Sequence, residues 1–349
     1  TKRTSYISSI LHRNWTECCS EFIPLIIGGL KFNSKNTEKW KNFKYCEWYI
    51  PELMIFTTNQ QDKKNFRTYI LVNFRFETTS EFENLKTRFN KLIENLTENE
   101  NIDNSLNAKM QGVFGSYIET IDVINNNIAE YNSWESLVKN GKSSIEKGET
   151  EKIVLAREVS FKVPDFVISD TIEFLISKFN GKKNKNNCNL YLLKTNDSLY
   201  FGCSPEKLFS AKGNSVETEA VAGSSARSGN EKEDNKSEID LIGSEKDNKE
   251  HEYVVNFILN SLKELSEEIN YSSTPKIKKL TNLLHLWTPI EAKLRRSEIE
   301  ETHLLPVYKL ISRLFPTPAV CGFPLEKSYQ TINEIEEFLI KYKTNPDIL

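Results

Sequence analysis

The sequence predicts an α+β fold built on antiparallel strands. Two observations carry that reading. Asn189–Lys194 and Ser198–Gly202 flank the short polar turn Thr195-Asn196-Asp197, which is hairpin spacing. Strand-like and helix-like patterns also come in runs and do not alternate, which argues against a parallel βαβ arrangement. The chain has 349 residues, enough for one large domain or two ordinary ones, and it is 38% hydrophobic with 5 Trp, 13 Tyr and 20 Phe, enough to bury a sizeable core.

Taken in order, Ile26–Phe32 and Thr68–Phe74 are β-rich runs bounded by turn residues. Segment 79–148 is polar and helical in period, with helices expected at Ser80–Glu98 and Ser133–Glu146 and a further turn or two in Tyr117–Asn132. From Glu151 the texture changes. Lys152–Val163 is rich in β-branched residues and alternates through its second half, which predicts a strand. A short amphipathic helix is expected at Asp170–Phe179, followed by the hairpin. Leu208–Ala211 and Ser215–Val221 extend the meander, Ser225–Asp247 begins as a loop and turns helical, and Glu250–Ile269 is expected to be one helix.

Composition excludes several classes. The net charge is −3, from 46 basic and 49 acidic residues, so no imbalance points to nucleic acid or an anionic membrane surface. No apolar run approaches the ~20 residues of a membrane span, and no signal-peptide pattern is present. The six cysteines, at 18, 19, 46, 188, 203 and 321, form no CxxC pair and have no histidine at zinc-ligand spacing. They read as thiols in a reducing compartment, and the chain is expected to be cytoplasmic, with the plastid stroma as the alternative.

Six clusters carry the chemistry, in this order: Lys152-Ile153-Val154-Leu155-Ala156-Arg157; Phe201-Gly202-Cys203-Ser204-Pro205-Glu206; Ala222-Gly223-Ser224-Ser225-Ala226-Arg227; Ser244 to Glu252; His285-Leu286-Trp287-Thr288-Pro289-Ile290; and Pro316 to Gly322. Lys152 opens a strand that enters apolar sequence. A lysine at a strand end is ordinarily a solvated cation, but partial desolvation disfavours the ammonium form, and a neutral amine is what a general base for water requires. Glu206 follows Ser-Pro at a strand end, as either an exposed turn carboxylate or a general acid. Glu250 precedes an apolar stripe of Val254, Phe257, Ile258 and Leu262, so it is expected to point with the core. A carboxylate there must be paired, protonated or bound to a cation, or be satisfied by helix N-terminal amides. Gly223 lets backbone approach a ligand and Ser224 can donate to one. Arg227 could bind an anion or lie on the surface. His285 is either a satisfied core histidine or a ligand contact, and Thr317-Pro318-Ala319 is a rigid turn.

Together these clusters resemble the chorismate-using enzymes: the isochorismate, salicylate, anthranilate and aminodeoxychorismate synthases. The resemblance is strong from Lys152 to Gly322 and loose before it. It implies one shared fold, antiparallel sheets packed face to face with helices outside, with residues 1–150 as its N-terminal part and 151–349 as the chorismate-binding region. It also implies roles. Lys152 is the base that adds water at C2 of chorismate, where the amine-adding branches carry Gln, and Glu206 is the acid that protonates the departing C4 hydroxyl. Glu250 helps hold Mg²⁺, while Gly223, Ser224, His285 and Ala319 line the substrate. The expected reaction is chorismate to isochorismate for menaquinone or phylloquinone synthesis, with salicylate synthase or a siderophore-pathway enzyme as alternatives and a degenerate member as a further one.

Two departures matter. Amine-using relatives carry Pro-Ile-Lys-Gly, whereas this chain has Pro289-Ile290-Glu291-Ala292. With Lys152, this implies no glutamine-hydrolysing partner, and a monomer is expected. After Gly322 the family's closing strands, an Ile-Arg carboxylate grip and a second magnesium glutamate are expected; the chain runs to Leu349 without them. It is therefore expected to be a truncated member, with little or no activity by itself.

Overall fold

The computed structural model describes residues 27–32, 41–49, 53–59, 66–72, most of 78–91, 128–157, 189–195, 198–298 and 305–344. The chain divides into two compact units: Thr1–Lys109 with Leu193–Tyr200, and Met110–Leu192 with Phe201–Leu349.

Among the described residues, the stretch before Lys109 in the first unit holds two antiparallel pairs. β1 (Ile27–Leu30) pairs with β2 (Cys46–Tyr49), and β3 (Leu53–Asn59) with β4 (Phe66–Val72). Gly28 lies opposite Trp48, and a Cβ at Gly28 would overlap Trp48 Cε3 at 2.6 Å, so the indole lies over bare backbone. The described residues between 80 and 91 are helical, in line with the expectation for Ser80–Glu98; the rest of that stretch lies outside the described residues. The turn after β6 (Asn189–Lys194) belongs to this unit, where Asn42 Nδ2 donates to Ser198 Oγ at 2.6 Å.

The second unit is organised by one antiparallel sheet. β7 (Leu199–Ser204) closes the expected hairpin with β6, and β8 (Ser210–Lys212) leads into β9 (Ser215–Ala226). Sheet order is β10 (Ser266–Tyr271), β12 (Leu283–Leu294), β9, β8, with β11 (Lys276–Lys279) also paired to β12. Along β12 every second residue is buried: Leu284, Leu286, Thr288, Ile290, Ala292 and Leu294. That period of two buries one face and leaves His285 and Trp287 on the other.

α1 (Ile128–Glu146), α2 (Glu231–Gly243), α3 (Glu245–Lys263), α4 (Leu305–Leu314) and α5 (Leu325–Thr344) follow in chain order. α3 covers the buried face of the sheet. His251, Val254, Ile258 and Leu262 form its buried stripe at helical spacing, and the aliphatic members pack with Val216, Ala220, Ile290, Leu310 and Leu314 in one core. Each large aliphatic side chain buried there contributes about 1.5–3 kcal/mol. Among the described residues no helix is long and apolar enough to cross a membrane.

Three elements differ from expectation. α3 starts at Glu245, because the Ser244 hydroxyl caps it by accepting from Asp247 N at 3.2 Å. It stops at Lys263, because Ser266–Tyr271 pairs with the far end of β12: edge pairing overrides the helical period of the sequence. Of the strand expected at Lys152–Val163, the described residues 152–157 hold only the two-residue β5 (Lys152–Ile153), paired with an equally short partner, β13 (Gly322–Phe323). A turn precedes β13, and Pro324, which has no N–H to give a ladder, follows it. Residues 158–163 and the helix expected at Asp170–Phe179 lie outside the described residues. Of Ser225–Asp247, the first two residues finish β9, and Asn230 then caps α2 by accepting from Lys232 N.

Candidate active site

The candidate side chains gather on the second unit. Lys152 is held by β5 against β13. Gly322 there has φ of +142°, and a Cβ on it would overlap the Lys152 carbonyl oxygen and sit 2.7 Å from Ser328 Oγ. Ser328 is buried and its hydroxyl donates to the same carbonyl at 3.0 Å, so the backbone of Lys152 is fixed from two sides. Its side chain is 12% exposed, and the ammonium group donates to Pro318 O at 2.7 Å and meets Glu250 Oε1 at 3.3 Å. Pro318 belongs to the turn expected at Thr317–Ala319, closed by Val320 N and Cys321 N both donating to Thr317 O at 3.1 Å. Beside it, burial pushes the Cys321 thiol up to about 11, which fits a packing residue and no thiolate chemistry.

Glu250 sits at the edge of the α3 stripe, not within it. The buried position belongs to its neighbour His251, whose Nδ1 lies 3.3 Å from Ala222 O and whose Nε2 lies 2.8 Å from Thr288 Oγ1. A carbonyl only accepts, so Nδ1 carries the proton and Nε2 accepts from the threonine. Burial is the main cause of a lowered pKa for His251, with the Ala222 bond and Glu250 opposing it. This leaves Glu250 free to face Lys152, with 30% of its side chain exposed. Tyr253 reinforces the junction: it stacks on Phe323 at 4.7 Å and donates to Glu151 Oε2 at 2.6 Å.

Glu206 follows β7. Two clefts share it, one of about 200 Å³ lined also by Val221, Lys278 and His285, and one of about 320 Å³ that reaches Thr317 and Ala319. Glu206 is exposed into this space, yet the surrounding walls crowd its carboxyl group. That crowding, ahead of the nearby Glu219 charge, raises its pKa, while Lys278 and Lys152 pull it down. Lys152 and Glu206 therefore feel each other's charge, although the direct partners of Lys152 are Glu250 and Pro318.

Gly223 takes a positive φ of +75°, and a Cβ there would press on Asp247 at 3.1 Å. The glycine makes room for the start of α3. Ser224 lies opposite His285 across the sheet, and their side chains meet at 2.8 Å. Burial, ahead of other causes, lowers the pKa of His285, so it is a neutral ring at the cleft wall. Arg227 is structural: it donates to Asp234 Oδ2 at 3.0 Å and to Leu280 O at 2.6 Å, closing the turn from β9 into α2.

Sequence reasoning missed Glu219, Lys278 and Trp287. They lie on the face of the sheet that carries His285, with Lys278 bonded to both Glu219 oxygens at 2.9 Å and the Trp287 indole N–H donating to Glu219 Oε2 at 2.6 Å. Trp287 two residues after His285 was the signal available, because that spacing keeps both on one face of a strand.

The family described as chorismate binding enzyme matches residues 3–339. Isochorismate synthase MenF of Bacillus subtilis is 25% identical over 317 residues, 90% of this chain and 60% of its own length. Isochorismate synthase EntC of Escherichia coli K12 is 30% identical over 212 residues, 60% of this chain and 51% of its own. The chain thus spans about half to three-fifths of the length of these relatives. A crystal structure from Bacillus anthracis, described as a 2,3-dihydroxybenzoate-specific isochorismate synthase, aligns with a TM-score of 0.50 at 26% identity, covering 59% of this chain and 53% of that one. Anthranilate synthase component I of Streptococcus pneumoniae shares the fold at a TM-score of 0.61 and 17% identity, covering 95% of this chain and 69% of that one. With its family match running almost from end to end, the chain belongs to the chorismate binding enzymes.

Proposed function

We propose that this chain carries the catalytic core of an isochorismate synthase, converting chorismate to isochorismate. The observation that carries the reading is a lysine amine held at the site margin by Pro318 and Glu250, within electrostatic reach of a carboxyl group whose pKa is raised. The carboxyl group keeps a proton to give, and the amine stands beside it; the Glu250 ion pair favours the ammonium form, so Lys152 acts as base once that carboxylate is engaged elsewhere. In the reaction Lys152 takes a proton from water as the water oxygen bonds to C2. The ring double bond shifts, the C4–O bond breaks, and Glu206 gives its proton to the leaving hydroxyl, which departs as water. One water enters and one leaves, and no electron is transferred.

Magnesium fits the donor chemistry at Glu250. The carboxylate is a hard oxygen ligand, partly exposed, with one oxygen paired to Lys152. Among the described residues no three candidate ligands converge, so Glu250 would hold the ion with a substrate carboxylate and water. When bound, the ion would supply charge neutralisation for the substrate carboxylate, and it would compete with Lys152 for Glu250. His285 and Ala319 line the two clefts that share Glu206, Ser224 bonds to the His285 ring, and Gly223 sets the backbone beside Ser224.

Menaquinone synthesis is the pathway we propose, in keeping with a match to the MenF enzyme of Bacillus subtilis that takes in 90% of this chain. Water as nucleophile leaves no task for a glutamine-hydrolysing partner. Incubating the full-length protein with chorismate and Mg²⁺ and separating the products tests the function: isochorismate is expected. Salicylate with pyruvate, or anthranilate in the presence of ammonia, would overturn it.

A further inference from the structure

The ion pair between Glu219 and Lys278 holds more than its own two strands. Lys278 comes from β11 and Glu219 from β9, on opposite sides of β12, and they meet above that strand. The pair is largely dry, with 18% and 13% of the two side chains exposed. Lys278 Nζ lies 2.9 Å from each Glu219 oxygen, and Trp287 supplies a third bond from below. Such charge-assisted bonds are shorter and stronger than neutral ones, and they fix both partners.

The remaining bonds of the pair go to the chain on either side of Glu206. Lys278 Nζ donates to Pro205 O at 3.2 Å, and Glu219 Oε1 accepts from Lys207 N at 3.3 Å. The residue before Glu206 and the residue after it are thus gripped by the two halves of one ion pair. We infer that Glu219 and Lys278 are positioning residues for Glu206: they clamp its backbone from both sides and set the balance of charge beside its carboxyl group. The inference rests on the reading of Glu206 as the general acid.

The two charges act on Glu206 in opposite senses. Burial already makes Glu206 harder to ionise; Glu219 adds to that, while Lys278, together with Lys152, makes it easier. An isolated glutamate next to Glu206 would hold its proton too tightly, and an isolated lysine too loosely. Coupled, they leave a group able to give up a proton during turnover and take it back.

The test uses full-length protein labelled with ¹³C at glutamate carboxyl carbons, with the Glu206 signal assigned by its loss in Glu206→Gln. Glu219→Gln keeps the shape and an acceptor for Lys207 N but removes the charge. The Glu206 titration midpoint should fall, and the basic limb of kcat should move to lower pH. Lys278→Met should move both the other way, and Lys278→Arg should restore part of the wild-type profile. In both charge-removing variants kcat should fall about 10-fold or more while KM for chorismate changes little. A Glu206 midpoint unmoved in both variants, with Glu206→Gln inactive, overturns the positioning role and leaves the acid assignment standing. An active Glu206→Gln protein removes the acid assignment and the inference with it.

Discussion

The Lys152 ammonium group lies 3.3 Å from Glu250 Oε1, so the residue proposed as base and the residue proposed as metal ligand are partners in one ion pair. Only 12% of the lysine side chain is exposed, and its second partner, the Pro318 carbonyl, is 2.7 Å away. The pair couples the two functions: whatever draws charge from Glu250 alters the setting of Lys152.

Replacing Lys152 should therefore separate chemistry from folding. Lys152→Gln can still donate to Pro318 O but cannot take a proton from water. Isochorismate formation should fall by about 10²–10⁴-fold, the usual contribution of a general base. The melting curve should stay close to that of the parent, because β5 is held by backbone bonds and Ser328.

Glu206→Gln should lower kcat by a similar factor and abolish the basic limb of the kcat profile. The sign follows from the raised pKa: the acid is active while protonated, so the wild-type rate declines as pH rises through that pKa. A pH series of initial rates for parent and variant checks this.

Mg²⁺ dependence should run through Glu250. Losing even an outer partner of a metal ligand costs about 10–100-fold in affinity. Glu250→Gln should therefore raise the Mg²⁺ concentration needed for half-maximal activity by at least about 10-fold. Calorimetric titration of Mg²⁺ into protein with chorismate present should report the same loss independently of turnover.

Gly322→Ala should be destabilising. The positive φ alone costs about 1–3 kcal/mol for a residue with a side chain, and the new methyl group would meet the Lys152 carbonyl and Ser328. Denaturant unfolding should show that loss, with reduced activity because the same shift moves Lys152.

His251 should make stability pH-dependent. Its pKa is lowered in the fold, so unfolding takes up a proton once pH drops below the ordinary value of 6.5. Its contribution is full above that value and is lost as pH falls toward the folded one. Denaturant midpoints for parent and His251→Gln should converge across that window.

Much of the second unit was legible because its sheet has one dry face. The period of two along Ser215–Val221 and the hairpin at Asn189–Gly202 are local signals, and the structure keeps them. α3 was found, but its ends were not. Its start depends on the Ser244 cap, ten residues before the apolar stripe begins at Val254, and its end on pairing with β12. Residues 154–157 were read as strand and are not, because β propensity does not reveal how short the partner β13 will be. Lys152 and Glu250 could each be singled out in the sequence, but their mutual contact is long-range, joining β5 to α3. Glu219 and Lys278 escaped notice because each alone is an ordinary charged residue on a strand; only the register that brings β9 and β11 to either side of β12 makes them a pair.

In the proposed reaction Lys152 selects water as the nucleophile. Turnover of chorismate by the full-length protein in H₂¹⁸O, followed by mass spectrometry of the product, tests it most directly. Isochorismate carrying one ¹⁸O at C2, formed by the parent and not by Lys152→Gln, is the predicted result. Unlabelled isochorismate, or equal labelled product from the variant, would contradict the claim.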